Sequence, residues 1–326
     1  MILETTEELK QYISIADSFQ IENFKPYITK AANTFTKKYV GDLHIILQDE
    51  ATGDNADIKN QARQHLQNAI ANFGWFKHIP FAKLIIDSSG ISVSDNTNRK
   101  AASYGEIKDI RRECLQAGHE AMDLLLEVLE ANPEVFTDYA TNYSTINNQL
   151  LVNKATVFSK YYNINDSRQV YLALQPTLRL VEDQYLKTFI CPELINALKI
   201  TPEDASTAQK ELLEKLKEPL QKAMVAFTIS KVASIGLFTL ATDGLRLNFE
   251  TYLDSRNQAV DYGLPAQQVK QLLADQASNA SIFLQQAKQI ITDNLEGFTQ
   301  CSEPLINNTT NTNTYSSYNT TGVFGL

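Results

Sequence analysis

Apolar residues near the start of the chain recur at helical spacing. Phe24, Tyr27, Ile28, Ala31, Ala32, Phe35 and Tyr39 follow i, i+3, i+4 and i+7 steps, which predicts a helix from about Asn23 to Tyr39 that Gly41 is placed to end. Ahead of it, Thr5-Thr6-Glu7-Glu8 offers a hydroxyl cap and early acids to a short helix carrying Leu9, Tyr12 and Ile13. A polar loop with Gly53 and Asp54 precedes a further helix near Ala56 to Phe73. That helix buries Ile58, Ala62, Leu66, Ala69, Ile70 and Phe73, and Gly74 and Pro80 are read as stopping it. From Phe81 to Val93 the period changes to two around Ser88-Ser89-Gly90, the pattern of a hairpin with a glycine turn. A long helix follows, roughly Ala101 to Glu130, with Ile107, Ile110, Cys114, Leu115, Met122, Leu125, Leu126 and Leu129 on its apolar side.

The same order of features returns in the second half. Leu66-Gln67-Asn68-Ala69-Ile70-Ala71-Asn72-Phe73 matches Leu220-Gln221-Lys222-Ala223-Met224-Val225-Ala226-Phe227 at an offset of 154 residues (220 − 66). That register runs without a gap through Lys77 and Lys231 and places Gly90 on Gly244, within the turn Ala241-Thr242-Asp243-Gly244. Upstream, Ile15-Ala16-Asp17-Ser18-Phe19-Gln20-Ile21 resembles Ile164-Asn165-Asp166-Ser167-Arg168-Gln169-Val170 at an offset of 149 (164 − 15). The long helix finds its counterpart at about Pro265 to Asn294. Two copies of one unit is the reading, with chance matching of helical patterns as its alternative. The expected architecture is mainly α: two tandem helical-bundle repeats, 1–152 and 153–304, each with a β-hairpin inserted before a long helix, then an extended tail, 305–326. The join lies in the polar stretch Tyr139 to Ser167, with the boundary close to Asn153.

The tail differs in kind. From Asn307 to Thr321 every residue is Asn, Thr, Ser or Tyr, so this stretch cannot build a core and is expected to be disordered alone. Its Tyr315 and Tyr318, and the apolar Phe324 and Leu326 beyond, would suit a strap that orders on a partner.

Composition narrows the classes. The chain has 326 residues, 29 basic and 38 acidic side chains and a net charge of −9. An acidic balance argues against holding nucleic acid by its phosphates, yet would suit a surface past which DNA slides without sticking. No run of about 18 apolar residues spans a bilayer, and the N-terminus lacks the basic and apolar segments of a signal peptide, so synthesis in the cytoplasm without membrane attachment is expected. The three widely spaced cysteines, Cys114, Cys191 and Cys301, are expected to be reduced.

Candidate chemistry is sparse. Only four histidines are present, and no serine elbow, phosphate-binding loop, His-Glu-x-x-His or dinucleotide fingerprint occurs. His119-Glu120 lacks a second histidine one turn on and reads as a partly exposed helix pair rather than a metal site. Glu211, Glu214 and Glu218 interleave with Lys210, Lys215 and Lys217 as a solvated helix face. Lys108 with Arg111-Arg112 could meet a phosphate backbone, although a charged outer face pairing with Glu106 and Glu113 accounts for them. Trp75, Phe76 and Phe81 form an aromatic group at the helix-to-hairpin corner, by default core and alternatively an interface anchor. No catalytic, cofactor or metal site is expected. The candidate protein-interface residues are Trp75, Phe76, Gly90, Gly244, Tyr315, Tyr318, Phe324 and Leu326.

Three short motifs carry a family resemblance. Thr6-Glu7-Glu8-Leu9-Lys10-x-Tyr12-Ile13-x-Ile15, then Lys38-Tyr39-Val40-Gly41, then Ile58-Lys59-Asn60-Gln61-Ala62 resemble the small helical head–tail connector (adaptor) proteins of tailed bacteriophages. In that family a Leu-Lys-x-Tyr/His-Leu-x-Ile start precedes a helix ending Tyr-x-Gly and another beginning near Ile-Lys-x-Ala. The likeness covers about the first 75 residues, with a weaker echo in the second half. It implies a virion protein without an active site. Such a protein forms a ring with its own copies at the portal vertex, between portal protein and tail or neck proteins, after assembly in the host cytoplasm, and DNA passes through without sequence-specific binding. The doubled unit, the hairpins, the third long helix and the Asn/Thr tail depart from the family pattern. A tail-completion or terminator protein, with a ring of about six-fold rather than roughly twelve-fold symmetry, is the nearest rival. A non-viral helical interaction module and an enzyme are the other classes; a ligand-dependent rise in melting temperature would revive the enzyme.

Overall fold

The computed structural model describes residues 2–82, 84–88, 90–93, 102–147, 150–232, 238–241, 244–247 and 264–298. The protein is mainly helical, and the chain divides into two compact units, Met1–Thr145 and Ile146–Leu326.

The first unit opens with α1 (Thr6–Lys10). Thr5 Oγ1 accepts from the Glu8 amide at 3.1 Å while the Glu8 carboxylate accepts from the Thr5 amide at 3.1 Å, a reciprocal cap on two amides that the helix leaves unpaired. After a short 3-10 turn come α2 (Lys25–Ala31), a π-helical turn at Ala32–Thr36, α3 (Lys37–Val40) and α4 (Leu43–Ile46). Gly41 ends α3 at φ 55°, a backbone setting that suits glycine. The long α5 (Ala56–His78) follows, then β1 (Leu84–Asp87) and β2 (Gly90–Val93), antiparallel with Leu84 opposite Val93 and Asp87 opposite Gly90. α6 (Tyr104–Ala131) starts on a second reciprocal cap, Ser103 with Glu106. α7 (Thr137–Asn147) leads into the second unit. The core of the first unit forms where α5 packs along α6 and α2 lies on α5, enclosing Phe24, Ile28, Leu66, Ile70, Phe73, Phe76, Met122 and Leu125.

α5 passes straight through Gly74, where the sequence reading ends it. The ring of Phe24 lies against this glycine so closely that a Cβ would stand 2.9 Å from Phe24 Cζ; the helix stops only at Ile79-Pro80. The helix expected over Asn23–Tyr39 runs without a break in helical backbone from Lys25 to Val40, but with a π-turn set into it between α2 and α3, where the buried Thr36 hydroxyl donates to the Ala32 carbonyl at 2.9 Å.

The second unit contains α8 (Ala155–Ser159), α9 (Arg168–Val181), a π-turn at Glu182–Leu186, α10 (Lys187–Phe189), α11 (Pro192–Lys199) and α12 (Thr207–Val232). Next come β3 (Phe238–Ala241) and β4 (Gly244–Leu247), antiparallel with Phe238 opposite Leu247, and α13 (Ala266–Asp293). α12 packs along α13 and α9 on α12. Leu150, Leu151 and Val152 are buried in this core, so the second unit begins ahead of the Asn153 boundary read from polarity.

Several contacts occur at matching positions in the two units. Gln67, 3% exposed, donates its amide to the Ile2 carbonyl at 2.8 Å and accepts from the Tyr12 hydroxyl at 3.1 Å. Gln221 does the same with the Leu151 carbonyl at 3.0 Å and the Tyr161 hydroxyl at 3.3 Å. Phe35 stacks on Phe73 at 4.3 Å with Lys77 above it, and Tyr185 stacks on Phe227 at 3.9 Å with Lys231 above it. Each unit thus ties its leading segment and its π-turn to its first long helix by the same pair of devices.

Candidate functional site

At the end of the α5–α6 pair that carries β1 and β2, aromatic rings from three segments converge. The buried Phe24 lies 5.5 Å from Trp75 and 5.7 Å from His78; Phe19 lies 5.4 Å from Trp75; and His78 lies 4.9 Å from Tyr27. Phe81 joins at 6.0 Å from Tyr27 and is 46% exposed. Burial pushes the His78 imidazole below its ordinary pKa, so at neutral pH it is an uncharged ring among the others. Among the described residues one cation meets the group, Lys30, whose Nζ is 5.3 Å from the Tyr27 ring centre. Half-buried aromatic rings such as Trp75 and the exposed Phe81 are of the residue types enriched at protein-docking surfaces. In the register set by the two π-turns and the long helices, the positions of Phe24, Trp75 and His78 hold Leu174, Ile229 and Val232 in the second unit, so the shared fold does not require aromatic rings there.

The second unit has a groove of about 750 Å³ lined by Leu150, Arg179, Glu182, Asp183, Lys187, Glu193, Asn196 and Lys199. Its charges are largely engaged with one another. Glu182, 3% exposed, accepts from Lys199 Nζ at 2.5 Å and from the Leu151 amide at 3.0 Å, while Lys187 pairs with Asp183 at 2.5 Å, a contact that raises the Lys187 pKa. This network locks α11 and the start of the unit onto the π-turn. Among the described residues no group of three or more His, Cys, Asp or Glu side chains could hold a metal ion, and no helix is long and apolar enough to cross a membrane.

The candidate residues disperse. Trp75 is half-buried within the aromatic cluster, but Phe76 is fully buried and turned into the core towards Phe35, which removes it as a surface anchor. Gly90 pairs with Asp87 across the strands. Gly244, at φ 137°, faces inward: a Cβ there would stand 2.4 Å from the Asn163 carbonyl oxygen, which accepts from the Leu245 amide at 3.1 Å. Its role is to seat β4 against its own unit. Tyr315, Tyr318, Phe324 and Leu326, with the tail from 305, lie outside the described residues.

Three further expectations are corrected. His119 is buried, 6% exposed, with its ring edge-on to Phe73 at 4.8 Å, rather than part of a surface pair with Glu120. Arg112 pairs with Asp109 at 3.1 Å and Arg111 lies over Phe76, whereas Glu106 caps α6. Cys191 is disulfide-bonded and its Sγ also caps α11 through the Leu194 amide, while Cys114 is free and buried, its pKa pushed up to about 11 by burial.

What sequence reasoning missed are the Gln67–Tyr12 and Gln221–Tyr161 bonds and the Glu182–Lys199 pair. Gln67 and Gln221 stood inside the strongest repeat match, the one signal that could have marked them as more than surface amides.

A family model described as a family of unknown function (DUF6712) matches the chain twice, over residues 29–149 and 182–320. No curated protein and no solved structure matches.

Proposed function

We propose that this chain, which belongs to the DUF6712 family of unknown function, is a structural protein of a tailed-phage virion, a head–tail connector that forms a ring between portal and tail. Its two units are tandem copies of one helical bundle, each with a hairpin inserted ahead of its last long helix. The observation that carries the reading is this repeated design: twice, two long packed helices hold a pair of strands at one end. Strands held so can reach a neighbouring subunit, and copies repeating one contact close into a ring. The connector-like motifs of the first 75 residues support the same reading, and the role is assembly rather than catalysis. The tail from Asn307 docks on a neighbouring subunit or ring, DNA passes without sequence-specific contact, and the protein resides at the virion neck.

The test is the mass of the purified chain over a wide concentration range, with imaging of any large species and a search for the chain in purified phage particles. Closed rings, or incorporation at the neck, are expected. Rings of about six-fold symmetry would move the assignment to a tail terminator. A chain that neither assembles nor accompanies particles would overturn the virion reading.

A further inference from the structure

The two units leave their last long helix by the same turn. α6 and α13 have 28 residues each. Asn132 then donates its side-chain amide to the Val128 carbonyl at 2.8 Å, and Asn294 donates to the Ile290 carbonyl at 2.8 Å. The Val135 amide bonds the Asn132 carbonyl at 3.1 Å, and the Gly297 amide bonds the Asn294 carbonyl at 3.0 Å. Both turns end by burying a phenylalanine, Phe136 in one unit and Phe298 in the other. The offset is 162 residues (298 − 136), and it carries Tyr139, a buried residue, onto Cys301. Cys301 itself lies outside the described residues, but the repeat makes 301 an inward position.

Cys191 supplies the other half. It is buried at the head of α11, in the same hydrophobic core as Phe298, and it is disulfide-bonded. The chain has three cysteines and Cys114 is free, which leaves Cys301 as its partner within the chain. The π-turns set an offset of 150 residues (182 − 32), which places Gly41 where the second unit has Cys191. The first unit thus has neither cysteine and the second has both, the distribution expected of two residues that work only together.

We propose that Cys191 and Cys301 form a redox-controlled clasp that ties the root of the C-terminal tail to α11. To close it, the thiolate of one cysteine attacks a low-molecular-weight disulfide such as oxidised glutathione, releasing one thiol and leaving a mixed disulfide, from which the second cysteine displaces the other thiol. Two electrons pass to the oxidant, and the two protons leave on its two thiols. The bond closes a loop from 191 to 301 that contains α11, α12, β3, β4 and α13, and so restricts the unfolded second unit. Two equivalents of thiol reverse the exchange. The Cys191 sulfur then still caps α11 through the Leu194 amide at 3.3 Å, whereas the chain beyond Phe298 loses its tie. A reducing compartment opens the clasp and an oxidising one closes it. The clasp belongs to the second unit alone and stands whether or not the chain forms a ring.

The experiment equilibrates the full chain in glutathione buffers from reducing to oxidising, blocks free thiols with iodoacetamide and maps the peptides without reduction. A peptide linking Cys191 to Cys301 should accumulate with oxidation while Cys114 stays free. The oxidised second unit should melt higher than the reduced one, by on the order of 10 °C. Reduction should quicken hydrogen exchange in α11 and in Leu295–Phe298 and leave the first unit unchanged. In oxidising buffer C301S should match the reduced wild type, and C114S should keep the bond; if C301S does not fold, the reduced wild type supplies the same comparison. Absence of the linked peptide in oxidising buffer overturns the proposal, as does a link through Cys114 or between two chains. A link whose reduction leaves melting and exchange unchanged overturns the clasp as a conformational device. None of these outcomes bears on ring closure, which the mass measurement decides separately.

Discussion

Gly118 lets α6 lie against the Phe73 ring of α5. A Cβ there would stand 2.6 Å from two carbons of the Phe73 ring, and that ring is already stacked on Phe35, so it has nowhere to retreat. Gly118→Ala should therefore destabilise the first unit by about 1–2 kcal/mol, overpacking outweighing the better helix propensity of alanine, as read by urea unfolding. A stabilised variant would mean that the helices separate easily. Lys199 offers the opposite case, a side chain whose removal leaves a charge stranded. With Glu182 buried and Lys199 Nζ 2.5 Å away, Lys199→Met should cost about 3–5 kcal/mol, and Glu182→Gln in the same chain should recover part of it. An exposed pair such as Lys217 with Glu214 should shift stability by no more than about 1 kcal/mol.

At the scale of elements, the Gln–Tyr device joins the leading segment of each unit to its long helix. Gln221→Leu leaves the Leu151 carbonyl and the Tyr161 hydroxyl without this partner and should cost about 1–3 kcal/mol; hydrogen exchange should quicken first around Leu150–Val152. Uniform loss of protection across α12 and α13 would refute a local role. The long helices were legible in the sequence because each buries one continuous face, and periodicity records that directly. What escaped was non-local. No local rule says that Gly74 is filled by Phe24 from another helix, that one extra residue in the turn at Ala32–Thr36 makes a π-turn, or that Gln67 meets Ile2 far along the chain. Phe76 was misplaced as an anchor for a related reason: Trp75 and Phe76 are neighbours in sequence, yet successive helical positions point about 100° apart, so one rims the surface while the other enters the core. The aromatic cluster was partly visible in Trp75 and Phe81; Phe19 and Tyr27 join it only through the packing of α2 on α5.

For the molecule as a whole, the two units share a plan but not an acid response. All four histidines, His44, His65, His78 and His119, belong to the first unit. Burial lowers the pKa of His65, against an opposing pull from Glu127, and burial also lowers that of His78, which the rings of Phe19, Phe24, Tyr27 and Trp75 surround. The unfolded chain takes up these protons near the ordinary value of 6.5, whereas the folded unit resists until lower pH. More protons bound in the unfolded state means that stability is complete above that value and is lost as pH falls from it towards the folded pKa values. The carboxylates held low by capping or pairing, Glu106 and Glu218 among them, start from 4.5 and fall lower, so they do not titrate in this window. Between pH 7.5 and 5.5, hydrogen exchange corrected for its intrinsic pH dependence should therefore quicken in α5 and α6 while α12 and α13 hold steady. H65Q/H78F should flatten the response of the first unit. Equal loss in both units would place the acid sensitivity elsewhere than in these two histidines.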